Sequence, residues 1–103
     1  MIKVSVFYPN KEGARFDMEY YLHKHLPLVR QKMAGAMKGM GVDQGISGGA
    51  PGAPLPYRVI AYMTFDSMEA YQAAFSAHVQ SIMADVPNYT DLQPVVQISE
   101  IKI

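Results

Sequence analysis

Thirteen residues, Phe16 to Leu28, hold Tyr20, Tyr21, His23 and His25, the densest run of acid/base side chains in the sequence. An imidazole exchanges protons near neutral pH, and a phenol hydroxyl can donate to an oxygen on which charge develops. Such a pair could take a proton from an activated carbon or from a phenol without a metal. With no cysteine in the chain, thiol nucleophiles, thiolate metal sites and disulfides are excluded.

What these side chains can do depends on where a helix points them. Asp17 stands where an N-cap belongs, and Glu19 in the first turn complements the helix dipole. At about 100° per residue, Met18, Leu22, His25, Val29, Met33 and Ala36 share one apolar stripe, with Tyr21 at its edge. Tyr20, His23 and Lys24 point elsewhere, which makes Tyr20 and His23 surface or dimer-contact residues. Pro27 cannot donate to the carbonyl of His23, so the helix should kink, or break and restart, near Leu26. A histidine on the apolar stripe beside that discontinuity must find a hydrogen-bond partner, and a freed backbone carbonyl is the plainest one. As a catalyst His25 would be a general base, with Tyr21 one turn earlier as its polar partner. His23 and His25 lie about 200° apart on a helix, and with His78 on a second helix they make a poor metal site.

Ile2, Val4, Val6 and Tyr8 alternate with Lys3, Ser5 and Phe7, predicting a first strand that ends at Pro9 and Asn10. Gly39 and Gly41 should end the first helix, which would carry Met33, Met37 and Met40, and Val42 to Ser47 reads as a weak second strand. A Gly/Pro/Ala connection, Ser47 to Pro56, leads to the strongest strand, Tyr57 to Phe65. Asp66 should cap a second helix, with Glu69 three residues on and an apolar stripe of Met68, Tyr71, Phe75, Val79 and Ile82. Val95 to Ile103 reads as the last strand. The order β-α-β-β-α-β predicts an α+β, ferredoxin-like sandwich: one antiparallel sheet with both helices on one face, a single domain over residues 1–103.

The strand patterns ask for more than two helices can give. Tyr57, Val59, Ala61, Met63 and Phe65 line one side of the third strand, yet Ile60 and Tyr62 face the other, and Phe7 does the same on the first. A second copy of the chain is the economical cover, giving a homodimer around a shared core. Arg58 and Tyr62, on one face of the third strand, would then be substrate-binding candidates, Arg58 toward a carboxylate.

Nine Lys plus Arg balance nine Asp plus Glu, scattered along the chain, which argues against nucleic acid or an acidic membrane surface as partner. No apolar run approaches the roughly 18 residues of a membrane span, and Met1 leads directly into a strand pattern, so a cytoplasmic location is expected. A small hydrophobic or aromatic metabolite fits this balance.

Phe16, Asp17, Tyr20, Tyr21, His25, Pro27 and Leu28, together with NYTDLQPVVQISE from Asn88 to Glu100, resemble the EthD family of the dimeric α+β barrel superfamily. The resemblance spans essentially the whole chain. It implies a homodimer with a sheet-lined cavity, and a family named for a protein needed in the breakdown of ethyl tert-butyl ether and often filed under oxidoreductases. Superfamily relatives include cofactor-free monooxygenases, isomerases, polyketide cyclases and binding proteins, so fold analogy does not choose the chemistry. The expectation is an EthD-like protein of small-molecule catabolism: a cofactor-independent oxidoreductase- or isomerase-type enzyme or accessory with His25 as base. The alternatives are a non-catalytic dimeric carrier and a dimeric scaffold without a cavity.

Overall fold

A computed structural model describes residues 1–103. Strand β1 (Ile2–Pro9) is followed by a helical arm in three parts: α1 (Met18–Tyr20), a π turn (Tyr21–His25) and α2 (Leu26–Lys32). Then come β2 (Met37–Gln44), β3 (Tyr57–Phe65), helix α3 (Met68–Asp85), a 3₁₀ turn (Val86–Asn88) and β4 (Val95–Glu100). The four strands form one antiparallel sheet in the order β2-β3-β1-β4, and this is the ferredoxin-like α+β fold.

Asp17 caps the arm as expected, its carboxylate accepting from the Tyr20 N–H at 3.1 Å. The expected disruption near Leu26 takes a particular form, the π turn, in which the Leu26 N–H reaches back to the Tyr21 carbonyl. Pro27 falls in the first turn of α2, where a missing N–H is tolerated. The wider turn resets the helical phase. Leu22, placed on the buried stripe by an α-helical count, is 41 % exposed, while Tyr21, placed at its edge, is 2 % exposed. The buried stripe is Tyr21, His25, Val29 and Met33.

The arm also stops earlier than Gly39. Gly35, at φ +90°, turns the chain after Met33, and Met37 to Gln44 pairs with β3 along nearly its whole length. Met37, Lys38 and Met40 carry no strong helix-breaking signal, and the sheet decides their state over local propensity. Gly39 and Gly41 are therefore strand residues, and the Tyr62 ring fills the space a Cβ on Gly41 would need. Helix α3 is capped by Ser67, whose Oγ accepts from the Ala70 N–H at 3.1 Å, and not by Asp66, which lies 3.8 Å from Lys38 Nζ. Strand β4 ends at Glu100, short of the expected Ile103.

Val4, Tyr8, Val59, Ala61 and Phe65 are buried on the sheet face beneath the helices. A bulge in β3 breaks the simple alternation: Tyr8 pairs with Val59 but Pro9 pairs with Tyr57, so Arg58 is the extra residue. Tyr57 consequently packs against Phe7, ring centroids 5.1 Å apart, rather than sharing a side with Val59. On the other face Phe7, Ile60 and Tyr62 are half-buried, and Val95 of β4 is exposed.

Candidate functional site

His25 is 5 % exposed, and its partner is a carboxylate, not a backbone carbonyl: Nδ1 lies 2.9 Å from Asp85 Oδ2. Asp85, the last residue of α3, is itself held on its other oxygen. The Tyr20 hydroxyl donates to Oδ1 at 2.5 Å and Asn88 Nδ2 donates to it at 2.9 Å. Asn88 Nδ2 also lies 3.2 Å from the Tyr20 oxygen, closing the network.

The π turn explains how Tyr20 joins this group. Five residues on an α-helix subtend about 140° around the axis, which would send Tyr20 and His25 to different sides. A π turn closes its hydrogen bond over five residues, so the two side chains fall on one side and share one carboxylate. His23, in contrast, stays exposed and pairs with Glu19 at 3.4 Å.

These contacts fix protonation. Burial pushes the Asp85 carboxyl up, but the bonds from Tyr20, Asn88 and His25 outweigh it and hold the group below the usual carboxylate range. An ionised carboxylate can only accept, so Nδ1 carries the proton. Burial lowers the His25 pKa below the ordinary imidazole value, against the opposing pull of Asp85, so the ring is neutral at pH 7 and Nε2 is bare. Nε2 makes no hydrogen bond within the chain and is not sealed off.

His25 lines a cavity of about 140 Å³ between the sheet and the helices, part-open to solvent. Val4, Val6 and Ala61 form its floor, Val29 and Ile82 are helical wall, and the exposed Met83 and Val96 mark its mouth. No Lys, Arg, Asp or Glu lies on its surface. At one end the imidazole packs against a pair of phenol rings: the Tyr21 ring stacks on it at 5.6 Å and 15°, the Tyr89 ring packs at 4.5 Å, and the two phenol rings are 4.8 Å apart. The Tyr8 and Tyr89 hydroxyls are hydrogen-bonded to each other at 2.7 Å beside them. Burial first, and the neighbouring Tyr8 next, push Tyr21 and Tyr89 far above the usual phenol range, so both are neutral donors.

The two sequence segments that carry the family resemblance meet here. Phe16 bridges to Thr90, the Asp17 N–H donates to the Tyr89 carbonyl at 2.7 Å, and Thr90 Oγ1 donates to the Arg15 carbonyl at 2.7 Å. The clip presses Tyr89 onto His25 and sets Asn88 on Asp85. Of the four residues singled out from the sequence, the structure brings His25 and Tyr21 together and leaves Arg58 out. As the bulge residue, Arg58 donates from Nη1 to the Ala14 carbonyl at 3.1 Å and from Nη2 to that of Lys11 at 2.7 Å, which ties down the loop after β1. Tyr62 is among the residues along the cavity, but its ring is turned to the open face of the sheet, lying across Gly41 with Lys3 Nζ 4.7 Å from the ring centroid.

Asp85 and Asn88 escaped sequence reasoning, as did the site role of Tyr20. Asp85 lies 60 residues from its histidine, beyond any local spacing rule. One signal was available: a carboxylate in the last turn of a helix opposes the macrodipole, and such a placement asks for a reason elsewhere in the fold.

An antiparallel four-stranded sheet, backed on one face by two helical arms with an apolar cavity between, defines a small ferredoxin-like α+β protein. The EthD domain model matches residues 13–93, and the chain belongs to the EthD family. An EthD-like protein from Ralstonia eutropha is 42 % identical, with a TM-score of 0.94 over 99 % of this chain and 92 % of that one. An ethyl tert-butyl ether degradation (EthD) family protein from Bacillus halodurans is 23 % identical, with a TM-score of 0.74 and 98 % of each chain covered. A dimeric ferredoxin-like protein from an uncultured marine organism shares the fold at 11 % identity, with a TM-score of 0.62 over 100 % of this chain and 96 % of that one. No curated protein matches.

Proposed function

We propose that this EthD protein is a cofactor-independent enzyme of small-molecule catabolism, of the oxidoreductase or isomerase type, in which His25 is the general base and Tyr21 a polar partner. One observation carries the reading: a neutral imidazole that lines an apolar cavity, its Nδ1–H held by an ionised Asp85 and its Nε2 without a partner in the chain. A base of this kind takes a proton from a C–H or O–H of a bound neutral molecule, and Asp85 stabilises the imidazolium that forms. In an isomerisation the proton then returns to another atom and the chemistry balances within the substrate; in an oxidation the deprotonated substrate would give its electrons to dioxygen as the co-substrate.

Deuterium exchange tests this. In D₂O, the protein should speed loss of the methyl proton signal of acetophenone, a small ketone with acidic C–H bonds. The rate should rise with pH through the depressed His25 pKa and then level, and His25→Ala should abolish it. Saturable binding with no exchange above solvent would leave a carrier, the reading that the charge-free lining favours. The open sheet face, with Phe7, Tyr57, Ile60 and Tyr62 half-buried, supports a homodimer in which a second copy covers it. Native mass spectrometry at micromolar concentration should find that dimer, and monomer alone would refute it.

A further inference from the structure

The cavity's polar end can be counted proton by proton. Tyr8 and Tyr89 share one hydrogen bond, and the Tyr21 ring lies beside Tyr8 with centroids 5.8 Å apart. Hydroxyls in an open chain have one proton more than they have links, so at least one O–H is left over. None of the three donates to any other group of the chain, and all three residues line the cavity. The spare donor belongs to a tyrosine cluster that packs against the imidazole: the Tyr21 and Tyr89 rings, 4.8 Å apart, both lie against it. A second unmet group, Nε2 of His25, is a bare acceptor at the same end. One end of the cavity is therefore lined by residues that carry one free donor and one free acceptor, with no charged side chain on the lining to receive an anion or a cation. A cavity of about 140 Å³ compares with the engineered apolar cavity of roughly 150 Å³ that takes benzene, and so has room for one six-membered ring.

We propose that the Tyr8–Tyr89 hydroxyl pair, with Tyr21 beside it, and Nε2 of His25 together receive the hydroxyl of an uncharged, single-ring phenol or enol. The ligand's O–H donates to Nε2, its oxygen accepts from the spare tyrosine O–H, and its ring lies among Val4, Val29, Ala61 and Ile82. The substrate class follows from complementarity: a carboxylate finds no cation, and a pure hydrocarbon leaves both polar groups unpaired. The assignment rests on the tautomer of His25 used in the functional reading, but it concerns recognition and is tested without turnover.

Phenol, benzene and benzoate are titrated into the intact protein by calorimetry, with Tyr8→Phe/Tyr89→Phe and His25→Ala alongside. Wild-type protein should prefer phenol to benzene by roughly tenfold, the scale of a hydrogen bond in a buried site, and should not bind benzoate. The double Phe variant should lose several-fold of that preference while keeping its affinity for benzene, which also shows that it is folded. A crystal structure of the phenol complex should place the phenol oxygen within hydrogen-bond reach of Nε2 and a tyrosine hydroxyl. Equal affinity for phenol and benzene, no saturable phenol binding at millimolar concentration, or phenol held at the mouth by Met83 and Val96 would each overturn the proposal. Failure of the base reading looks different: His25→Ala would leave exchange unchanged, while the tyrosine variants still lowered the phenol preference.

Discussion

Asp85→Asn should invert the tautomer of His25. In the wild type Oδ1 accepts from Tyr20 and Asn88 and Oδ2 accepts from His25 Nδ1. An asparagine at 85 keeps its amide oxygen toward the two donors Tyr20 and Asn88, because turning round would set its NH₂ against both. The NH₂ then faces Nδ1, which must give up its proton to accept, and the proton moves to Nε2 on the cavity side. The free acceptor becomes a donor, and the proposed base catalysis should fall by two to four orders of magnitude, about the range that acid–base groups contribute. Three hydrogen bonds lose their ionic character. Such bonds are about twice as strong as neutral ones, so each weakens by about 0.5–1 kcal/mol. Discounted for a carboxylate that is 14 % exposed, the total is about 1–2 kcal/mol, a fall in Tm of roughly 5–10 °C. The tautomer is read from side-chain ¹⁵N shifts of the histidine. Wild-type protein should show a pyrrole-like Nδ1 and a pyridine-like Nε2, and the variant the reverse. A wild-type ring protonated on Nε2, or a variant with unchanged nitrogen shifts, would refute the reasoning.

Acid should destabilise the protein in two steps. His25 has a folded pKa below its unfolded value, so the unfolded chain binds the proton more tightly and stability falls as pH drops below about 6.5. Asp85 also has a lowered folded pKa; its contribution is full above the unfolded carboxylate value and is lost as pH falls through the folded one. Urea melts at half-unit pH intervals should show both steps, with the lower one missing in Asp85→Asn. Ser67→Ala should cost about 1 kcal/mol through loss of the α3 cap, whereas Asp66→Ala should cost less than about 0.5 kcal/mol, measured by the same melts. Gly35→Ala should cost about 1–2 kcal/mol, since an alanine at φ +90° is strained wherever space allows it.

Sequence legibility followed the reach of the interactions. The β3 strand, the Asp17 cap, the disruption around Pro27 and the β-α-β-β-α-β order depend on neighbours within a few residues, and periodicity exposes them. The start of β2 depends on β3, which recruits Met37 to Gly41 by pairing across the sheet. Strict alternation puts Arg58 on the open face of the sheet with Tyr62, and one bulge at the start of β3 sends it instead to the loop of Lys11 to Ala14. His25 could be singled out because an imidazole on an apolar stripe is conspicuous. Its partner could not be found, because only the tertiary fold carries the C-terminus of α3 to the π turn.

The π turn ties these points together. At 100° per residue the run from Phe16 to Leu28 divides into an inward His25 and an outward Tyr20, and the reactive cluster dissolves. One wider turn between them reverses that, since Tyr20 and His25 now approach the same carboxylate while Tyr21, inside the turn, stacks on the imidazole. The exposed Leu22 shows what the turn displaces. Pro27 makes the departure from α geometry inexpensive here, because an α register would aim the His23 carbonyl at a residue with no N–H. A segment that a regular helix would split into core and surface thus supplies an imidazole, its stacking partner and a donor to its carboxylate from six consecutive residues, Tyr20 to His25.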